Sequence, residues 1–359
     1  MIGENIGGYK ILAKLGRRRP AVLLGRKKPR GMVAVDPIIT RRDAIFSFGF
    51  AGLATLGGCE RSERKRIGVV PKATGLVFWQ SVHAGAVAAG QEADVEVLWQ
   101  GPPTETEFTR QITIVESMIN SRVDGIVVAP TDATALISVV DRAQASGIPV
   151  VVFDSGINSD NYVSFVATDN YKGGVLGARR MGELLNGSGQ VAMMRMVPGS
   201  HSTNLREEGF KDTVAKEFEQ IEIVAEDYCM ADHAKSLEIA ENFLTAHPDL
   251  DGIFGSTEPA TVGPARAIRG RGLSGKVRLV GFDYGDTIEQ DLKDGVIDAV
   301  VVQDPFRIGF LAVQTMVSHL NGETSPKRID TPVRVISAAD LTDPEILEFL
   351  HPDLERYLE

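Results

Sequence analysis

The sequence predicts an α/β fold made of two doubly wound, Rossmann-like lobes, and two observations lead to this fold class. First, short β-rich runs alternate with helix-length segments from Ile67 onwards, which is the order expected of a doubly wound sheet. Second, the alternation occurs twice, with about five strand–helix units on each side of Thr168. Several runs are continuously apolar, as expected for parallel strands that are buried on both faces.

Ten strands are predicted from these apolar runs. Those before Thr168 cover residues 67–70, 95–100, 125–129, 150–154 and 163–167, and those after it cover residues 191–195, 221–226, 252–255, 277–281 and 299–302. Helices are predicted over residues 104–120, 133–146 and 259–269. Asp132 is an acidic cap signal before the second of these helices, and Gly147 and Pro149 end it.

The segment before Ile67 has the order of parts found in a secretory signal. Arg41 and Arg42 precede an uncharged apolar run from Ala44 to Leu56, and small residues then lead to Cys59. At about 13 residues, the run is too short to span a bilayer. Leu56-Gly-Gly-Cys59 resembles the bacterial lipobox, in which the cysteine is acylated and becomes the mature N-terminus. The arginine pair also suggests twin-arginine export, and the alternative is a buried apolar helix with an incidental cysteine.

We therefore expect residues 1–58 to be a leader and signal peptide that takes no part in the fold, and residues 59–66 to be a linker. Because about 40 residues precede Arg41, residues 1–31 are interpreted as a mis-assigned start or a basic leader, with Met32 as the alternative start.

Charge separates this leader from the remainder of the chain. Residues 1–66 carry 15 basic and 5 acidic residues, whereas the remainder carries 23 basic and 43 acidic residues. Such an acidic body repels phosphate backbones, so we expect no nucleic-acid partner. Its 293 residues suit one large or two medium domains. Only Cys229 remains after Cys59, so no disulfide is expected within one mature chain.

Ligands of open α/β sheets bind beyond the carboxyl ends of the strands. With two lobes facing each other, the expected site is the cleft between them. The segments that follow predicted strands and so deserve inspection are residues 72–79, 154–156, 257–259, 283–284 and 303–305.

Nine segments carry a strong resemblance to the ribose-type periplasmic sugar-binding proteins of ABC importers. They are, in order, VVPKATGLVFWQSVHAG, APTDATAL, VVFDSG, ATDNYKGG, REEGF, TAHPDLDGIF, VGFD, LKDGVIDAVVVQDP and a final strand near residues 333–336. The resemblance implies the type I periplasmic binding protein fold, with a three-segment hinge near Thr168, Gln303 and Pro332. It places residues 67–167 and 305–332 in the N-terminal lobe, residues 168–304 and 333–340 in the C-terminal lobe, and residues 341–359 in a C-terminal tail.

The resemblance also implies ligand-binding residues. Phe78 and Trp79 match paired aromatics that flank a sugar ring, whose apolar C–H face complements an aromatic face; the alternative is that both pack in the core. Asp154 and Asp283 each follow an apolar run, where a carboxylate is costly unless several donors bind it. Sugar hydroxyls supply such donors, although a helix cap or a structural ion pair would also explain them.

Further implied contacts come from Arg206, a forked donor, and from Gln303, which donates and accepts at once. For Arg206 a surface ion pair is the alternative, and for Gln303 the alternative is that it ties the hinge. Ser155 and Thr257 are also expected to contact the ligand. Ser155 stands where the ribose binder has an arginine, and Thr257 where it has an asparagine. Ala231 replaces an aromatic residue. These departures remove a charge and a ring from the expected pocket, so a sugar or polyol other than ribose is plausible.

We expect no enzymatic activity, because no metalloprotease, nucleophile-elbow or phosphate-loop motif is found. Gly270 to Gly275 fits a dinucleotide-binding fingerprint by letter but follows a helix, so it is interpreted as a helix stop. No cofactor or metal site is expected.

The predicted protein is a monomeric, extracytoplasmic lipoprotein that delivers a pentose, hexose or polyol to an ABC permease and touches the membrane only through its lipid anchor. The alternatives are a sugar-sensing receptor for chemotaxis or signalling and, less favoured, the effector domain of a lactose-repressor-type regulator, for which residues 1–66 offer no helix-turn-helix.

Overall fold

A computed structural model describes residues 64–358. The predicted leader, the signal segment and Cys59 therefore lie outside the described residues. The described part has twelve strands: β1 Arg66–Val70, β2 Glu96–Trp99, β3 Gly125–Val128, β4 Val150–Phe153, β5 Phe165–Thr168, β6 Ser188–Arg195, β7 Gln220–Tyr228, β8 Gly252–Gly255, β9 Arg278–Phe282, β10 Ala299–Gln303, β11 Arg328–Thr331 and β12 Val333–Ile336.

Ten α-helices connect and cover these strands. They are α1 Val77–Glu92, α2 Phe108–Asn120, α3 Ile137–Ala145, α4 Asn170–Leu184, α5 His201–Glu217, α6 His233–Ala246, α7 Glu258–Gly270, α8 Asp286–Lys293, α9 Pro305–Leu320 and α10 Pro344–Leu350. Among the described residues, no helix is both long and apolar enough to cross a membrane.

The strands form two six-stranded sheets, which confirms the predicted two-lobed α/β class. The first sheet has the order β11-β5-β4-β3-β1-β2 and is parallel throughout. The second has the order β12-β10-β9-β8-β6-β7, in which only β12 runs antiparallel to its neighbour. We call each sheet with its flanking helices the first and the second lobe.

The central strands of both sheets are buried on their two faces, which explains their continuous apolar runs. Alternate strand residues of the first sheet pack against α1 and α9 on one face, as Val69 does, or against α2 and α3 on the other, as Val70 does. In the second sheet, Met193 faces the core formed with α4 and α5, whereas Met194 faces the core formed with α6 and α7.

The chain passes between the two sheets three times. It crosses after β5, after β10, and in the short turn between β11 and β12. β12 then pairs with β10, with Val333 opposite Gln303. Helix α9 follows β10 but returns to pack on β3, β4 and β5 of the first sheet. Two of the crossings leave from the carboxyl ends of β5 and β10, and ligands of open α/β sheets bind beyond the carboxyl ends of parallel strands.

Two predicted helices begin later than expected. The helix predicted from residue 133 begins at Ile137, because the Asp132 side chain accepts hydrogen bonds from the backbone N–H groups of Thr134 and Ala135 and holds them in a turn. Its predicted end is confirmed, since Gly147 adopts a φ of 78° after the last turn. The helix predicted from residue 104 begins at Phe108.

The sequence predicted no element after residue 336, yet the chain is ordered there. A 3₁₀ helix at Ala338–Thr342 and α10 lie against the second lobe, and Leu341 and Leu350 are buried in its core. A capping box in which Ser337 and Asp340 bond each other begins this segment.

Candidate functional site between the lobes

Two carboxylates occupy equivalent places in the two lobes. Asp154 directly follows β4 and Asp283 directly follows β9, and both side chains are buried. Both residues have a left-handed backbone, with φ of 56° and 68°. Aspartate tolerates this conformation better than most residues, and strained backbone of this kind concentrates at functional sites. Each lobe therefore places one acidic side chain at the carboxyl end of a central strand.

The two carboxylates line one small cavity between the lobes. Six residues predicted as ligand contacts lie on its wall together with Asp283: Phe78, Trp79, Asp154, Arg206, Thr257 and Gln303. The first lobe also contributes Lys72 and Glu105, and the second also contributes Met196, Ser202, Thr203 and Glu258.

On the first-lobe side, the wall is built around Lys72, which is almost fully buried. Its Nζ lies 3.3 Å from Asp154 Oδ2 and 3.9 Å from Glu105 Oε2. Burial raises the pKa of Glu105, although Lys72 and a hydrogen bond from Trp79 oppose that rise. One ammonium thus neutralises part of the charge of two buried carboxylates, which would otherwise be costly to bury.

Lys72 also joins the two lobes. Its Nζ donates to Ser200 Oγ at 3.1 Å and to Ser202 Oγ at 2.9 Å, and both serines belong to the start of α5 in the second lobe. The backbone N–H of Ser202 in turn donates to Ser155 Oγ at 3.2 Å. These hydrogen bonds link residues of the first lobe directly to the start of α5 in the second lobe.

On the second-lobe side, Arg206 is held in place by a buried network. Its Nε donates to Asn170 Oδ1 at 2.8 Å, its Nη1 donates to the Ser256 carbonyl at 3.0 Å, and its guanidinium lies 4.0 Å from the centroid of the Phe282 ring. Helices α4 and α5 approach closely at Gly174, where any Cβ would collide with the Arg206 backbone. The surface ion pair considered for Arg206 is therefore wrong.

Arg206 and Gln303 support the carboxylate of Asp283. Arg206 Nη1 lies 3.8 Å from Asp283 Oδ2, and Gln303 Nε2 donates to Asp283 Oδ1 at 2.7 Å. Burial raises the pKa of Asp283, and the positive charge of Arg206 and the bond from Gln303 oppose the rise. The ionised form is therefore costly in the folded protein, and further hydroxyl donors from a ligand would relieve that cost.

The paired aromatics have different surroundings. Trp79 is 2% exposed and packs in the first-lobe core, with its Nε1 donating to Glu105 Oε1 at 2.9 Å. Phe78 is partly exposed and meets Trp79 edge to face at a centroid distance of 5.0 Å. Both touch the cavity wall, but Phe78 offers the more accessible ring.

Two predicted contacts are placed differently from the rest. Thr257 lines the cavity, but its Oγ1 is directed to Met196 Sδ at 3.1 Å. Ser155 is fully buried and does not belong to the cavity wall. Its hydroxyl oxygen accepts the interlobe hydrogen bond from the backbone N–H of Ser202.

Sequence reasoning missed the roles of Lys72, Glu105 and Asn170. Lys72 stands two residues after β1, so its place beyond a strand end was a usable signal. Glu105 lies in the connection between β2 and α2, and Asn170 begins α4, and neither has a local signal that indicates its partners. Within residues 64–358, no group of three or more His, Cys, Asp or Glu side chains is arranged to hold a metal ion.

Comparison with known proteins agrees with this architecture. A family model described as a periplasmic binding protein domain matches residues 67–324. The chain is 32% identical to the D-ribose/D-allose-binding protein of Pseudomonas aeruginosa, over 78% of this chain and 91% of that protein. It is 30% identical to the ribose import binding protein of Bacillus subtilis, over 64% of this chain and 74% of the relative.

Solved structures give the same result. A carbohydrate transporter solute-binding protein from Agrobacterium radiobacter in complex with D-arabinose has a TM-score of 0.78 and 32% identity, and it covers 81% of this chain and 100% of its own. An ABC transporter solute-binding protein from Agrobacterium vitis with bound D-fucose has a TM-score of 0.77 and 35% identity, covering 80% and 100%. This chain therefore belongs to the periplasmic binding protein family, of the type whose relatives are sugar-binding proteins of ABC importers.

Proposed function

We propose that this protein is an extracytoplasmic sugar-binding lipoprotein that captures a pentose, hexose or related polyol between its lobes and delivers it to an ABC permease. The observation that carries the proposal is the pair of buried carboxylates, Asp154 and Asp283, which face one cavity from opposite lobes. A carboxylate accepts two hydroxyl bonds side by side, and a polyol offers neighbouring hydroxyls to both.

The other walls of the cavity support a neutral polyhydroxylated ligand. Phe78 offers an aromatic face to the C–H side of a sugar ring. Lys72 and Arg206 are largely engaged by carboxylates and serines, so they stabilise the acidic pair and leave little free positive charge for an anionic ligand. The names of the curated relatives and of the neighbouring structures give ribose, allose, arabinose and fucose as their ligands, and these sugars are pentoses and hexoses.

Delivery would follow from closure of the lobes. The bonds from Lys72 to Ser202 and from Ser202 to Ser155 are made across the cleft, so they bias the hinge toward the closed state when a ligand fills the cavity. The closed surface is the one that a permease would recognise. Cys59, with the lipobox resemblance before it, would hold the protein at the membrane surface.

A ligand screen tests the proposal. The purified protein is heated with ribose, allose, arabinose, fucose, glucose, galactose and ribitol, and each hit is titrated by calorimetry. A ligand at 100 times its dissociation constant adds about 2.7 kcal/mol to the free energy of unfolding, which a thermal shift resolves. Gluconate serves as the anionic control. Stabilisation by no neutral sugar or polyol, or stabilisation by gluconate alone, would contradict the proposed ligand class.

A further inference from the structure

Glu105 brings a third acidic side chain to the cavity between the lobes, in addition to Asp154 and Asp283. It lies in the connection between β2 and α2, and it is 9% exposed. This connection is tied to the loop after β1, because the backbone N–H of Thr74 donates to the Pro102 carbonyl at 3.0 Å. The Glu105 carboxylate is thus held at the cavity by a loop that is itself fixed to the first lobe.

Within the described residues, Glu105 uses only one of its two carboxylate oxygens in a hydrogen bond. Oε1 accepts from Trp79 Nε1 at 2.9 Å, which fixes the orientation of the side chain. Oε2 lies 3.9 Å from Lys72 Nζ, which is beyond hydrogen-bond distance. Among residues 64–358, Oε2 therefore has no hydrogen-bond partner.

Lys72 has nearer partners than Glu105. An ammonium group has three donors, and three oxygens lie closer to Nζ than Glu105 Oε2 does. They are Ser202 Oγ at 2.9 Å, Ser200 Oγ at 3.1 Å and Asp154 Oδ2 at 3.3 Å. The second oxygen of Glu105 is thus left for a donor that the ligand supplies.

Burial makes this unused oxygen costly. It raises the pKa of Glu105, although the charge of Lys72 and the bond from Trp79 oppose that rise. A ligand hydroxyl that donates to Oε2 would reduce the cost of burial. Because Lys72 Nζ lies close to both Glu105 Oε2 and Asp154 Oδ2, hydroxyls on neighbouring carbons of one ligand can reach one carboxylate each.

We propose that Glu105 is a specificity-determining residue of the sugar site, whose Oε2 binds one ligand hydroxyl while Asp154 binds the hydroxyl on the neighbouring carbon. The ligand is then a pentose or hexose with a free vicinal diol at the end held by the first lobe. This inference rests on the proposed sugar-binding function and specifies which hydroxyls the site recognises. A residue that only held Trp79 and Lys72 in place would instead affect all ligands alike.

Calorimetric titration with deoxy sugars tests this. The protein is titrated with D-ribose, D-arabinose, D-allose and D-galactose, and then with each monodeoxy analogue of the sugar that binds most tightly. In the wild type, loss of the hydroxyl bound by Glu105 should weaken binding roughly 10- to 150-fold, the range for a hydrogen bond to a charged group. Repeating the series with Glu105→Gln identifies the hydroxyl that is coupled to Glu105.

Glu105→Gln changes the atom that faces the cavity. Its Oε1 can keep the bond from Trp79, so the amide nitrogen takes the place of Oε2. A neutral donor then replaces the charged acceptor, and the penalty for removing that one hydroxyl should become about fivefold smaller or more. Glu107→Gln is the matched control, since Glu107 lies in the same connection, outside the cavity wall and 3.6 Å from Arg110; it should leave every penalty unchanged.

Asp154→Asn locates the second hydroxyl. Asparagine keeps the shape of the side chain and tolerates its φ of 56°. This variant should reduce the penalty for the hydroxyl on the carbon next to the one that is coupled to Glu105.

The inference is overturned if Glu105→Gln weakens the parent sugar and all its deoxy analogues by the same factor, or if the two variants couple to hydroxyls on carbons that are not neighbours. Glu105→Asp, which keeps the charge but withdraws it from the cavity, gives the same test if Glu105→Gln does not fold. Loss of the fold in both variants would assign Glu105 a structural role and also overturn the inference. Binding of none of the four parent sugars by the wild type would instead refute the proposed function itself.

Discussion

Replacement of Asp283 by asparagine should weaken sugar binding while changing the stability of the unliganded protein only slightly. Asparagine keeps the size of the side chain and can accept the bond from Gln303 at Oδ1. Its amide group then faces the backbone N–H of Glu258, which lies 3.3 Å from Asp283 Oδ2, and the guanidinium of Arg206. The variant thus loses the charge and one acceptor on the side where ligand hydroxyls would bind.

The magnitude follows from the value of a hydrogen bond to a charged group, about 1.5–3 kcal/mol, which corresponds to a roughly 10- to 150-fold weaker affinity. Two effects on the stability of the unliganded protein oppose each other. Because burial raises the pKa of Asp283, the folded protein disfavours the ionised side chain, and a neutral side chain of the same shape removes that penalty. The asparagine amide N–H groups, however, face the donors of Arg206 and Glu258, so the melting temperature without sugar should change little.

Asparagine is the informative substitution because of the backbone. At a φ of 68°, alanine would add strain of roughly 1–2 kcal/mol that has no connection with the ligand. Asp94→Asn is the matched control, since Asp94 also has a left-handed backbone (φ 52°) but lies exposed, paired with Arg64.

The assay is calorimetric titration with the sugar found in the screen, together with thermal melts with and without that sugar. Unchanged affinity in Asp283→Asn would show that the ligand does not contact this strand end. A large fall in the melting temperature without sugar would instead assign Asp283 a structural role, as a helix cap or ion pair.

Three further predictions concern other parts of the chain. Burial raises the pKa of Glu105, so the folded state holds the proton more tightly than the unfolded chain. As pH rises above the ordinary glutamate value of about 4.3, the wild type should therefore lose stability relative to Glu105→Gln. Free energies of unfolding in urea that change equally with pH in both proteins between pH 4 and 8 would contradict this. Arg206→Lys cannot keep both bonds of the forked donor and should lower both melting temperature and sugar affinity, whereas Arg179→Lys, at an exposed pair with Glu217, should change neither; equal effects would remove the special role of Arg206. Mass spectrometry of membrane-extracted protein should find a lipid-modified N-terminal peptide that begins at Cys59, and intact peptides spanning residues 58–60 in the mature protein would refute acylation.

Most strands and the two strand-end carboxylates were predictable because their signals are local, whereas β11, which is largely exposed, was not predicted. Four-residue runs such as Gly252–Gly255 are buried on both faces, so every residue in them must be small or apolar. A charged residue directly after such a run is conspicuous, and Asp154 and Asp283 were found in this way. Both do lie on one cavity wall, as the meeting of strand ends requires.

Helix starts were less predictable, since side chains compete with the helix for the first backbone N–H groups. Asp132 satisfies two of them in a turn, and α3 begins only at Ile137. The spacing of apolar residues indicates where a helix can form, but it does not indicate which acceptor binds the first backbone N–H groups.

By itself, the sequence determined the two-lobed α/β class, the strand order along the chain and the positions from which side chains can reach the cleft, because periodicity and strand ends are properties of neighbouring residues. Only the tertiary structure decided which groups meet there. Lys72 reaches Ser202 across 130 positions of sequence, Ser155 bonds the opposite lobe rather than the cavity, and Leu341 and Leu350 of the C-terminal segment are buried in the second-lobe core. Such contacts depend on how the two sheets and the crossing segments bring distant parts of the chain together, and no pattern among neighbouring residues indicates them.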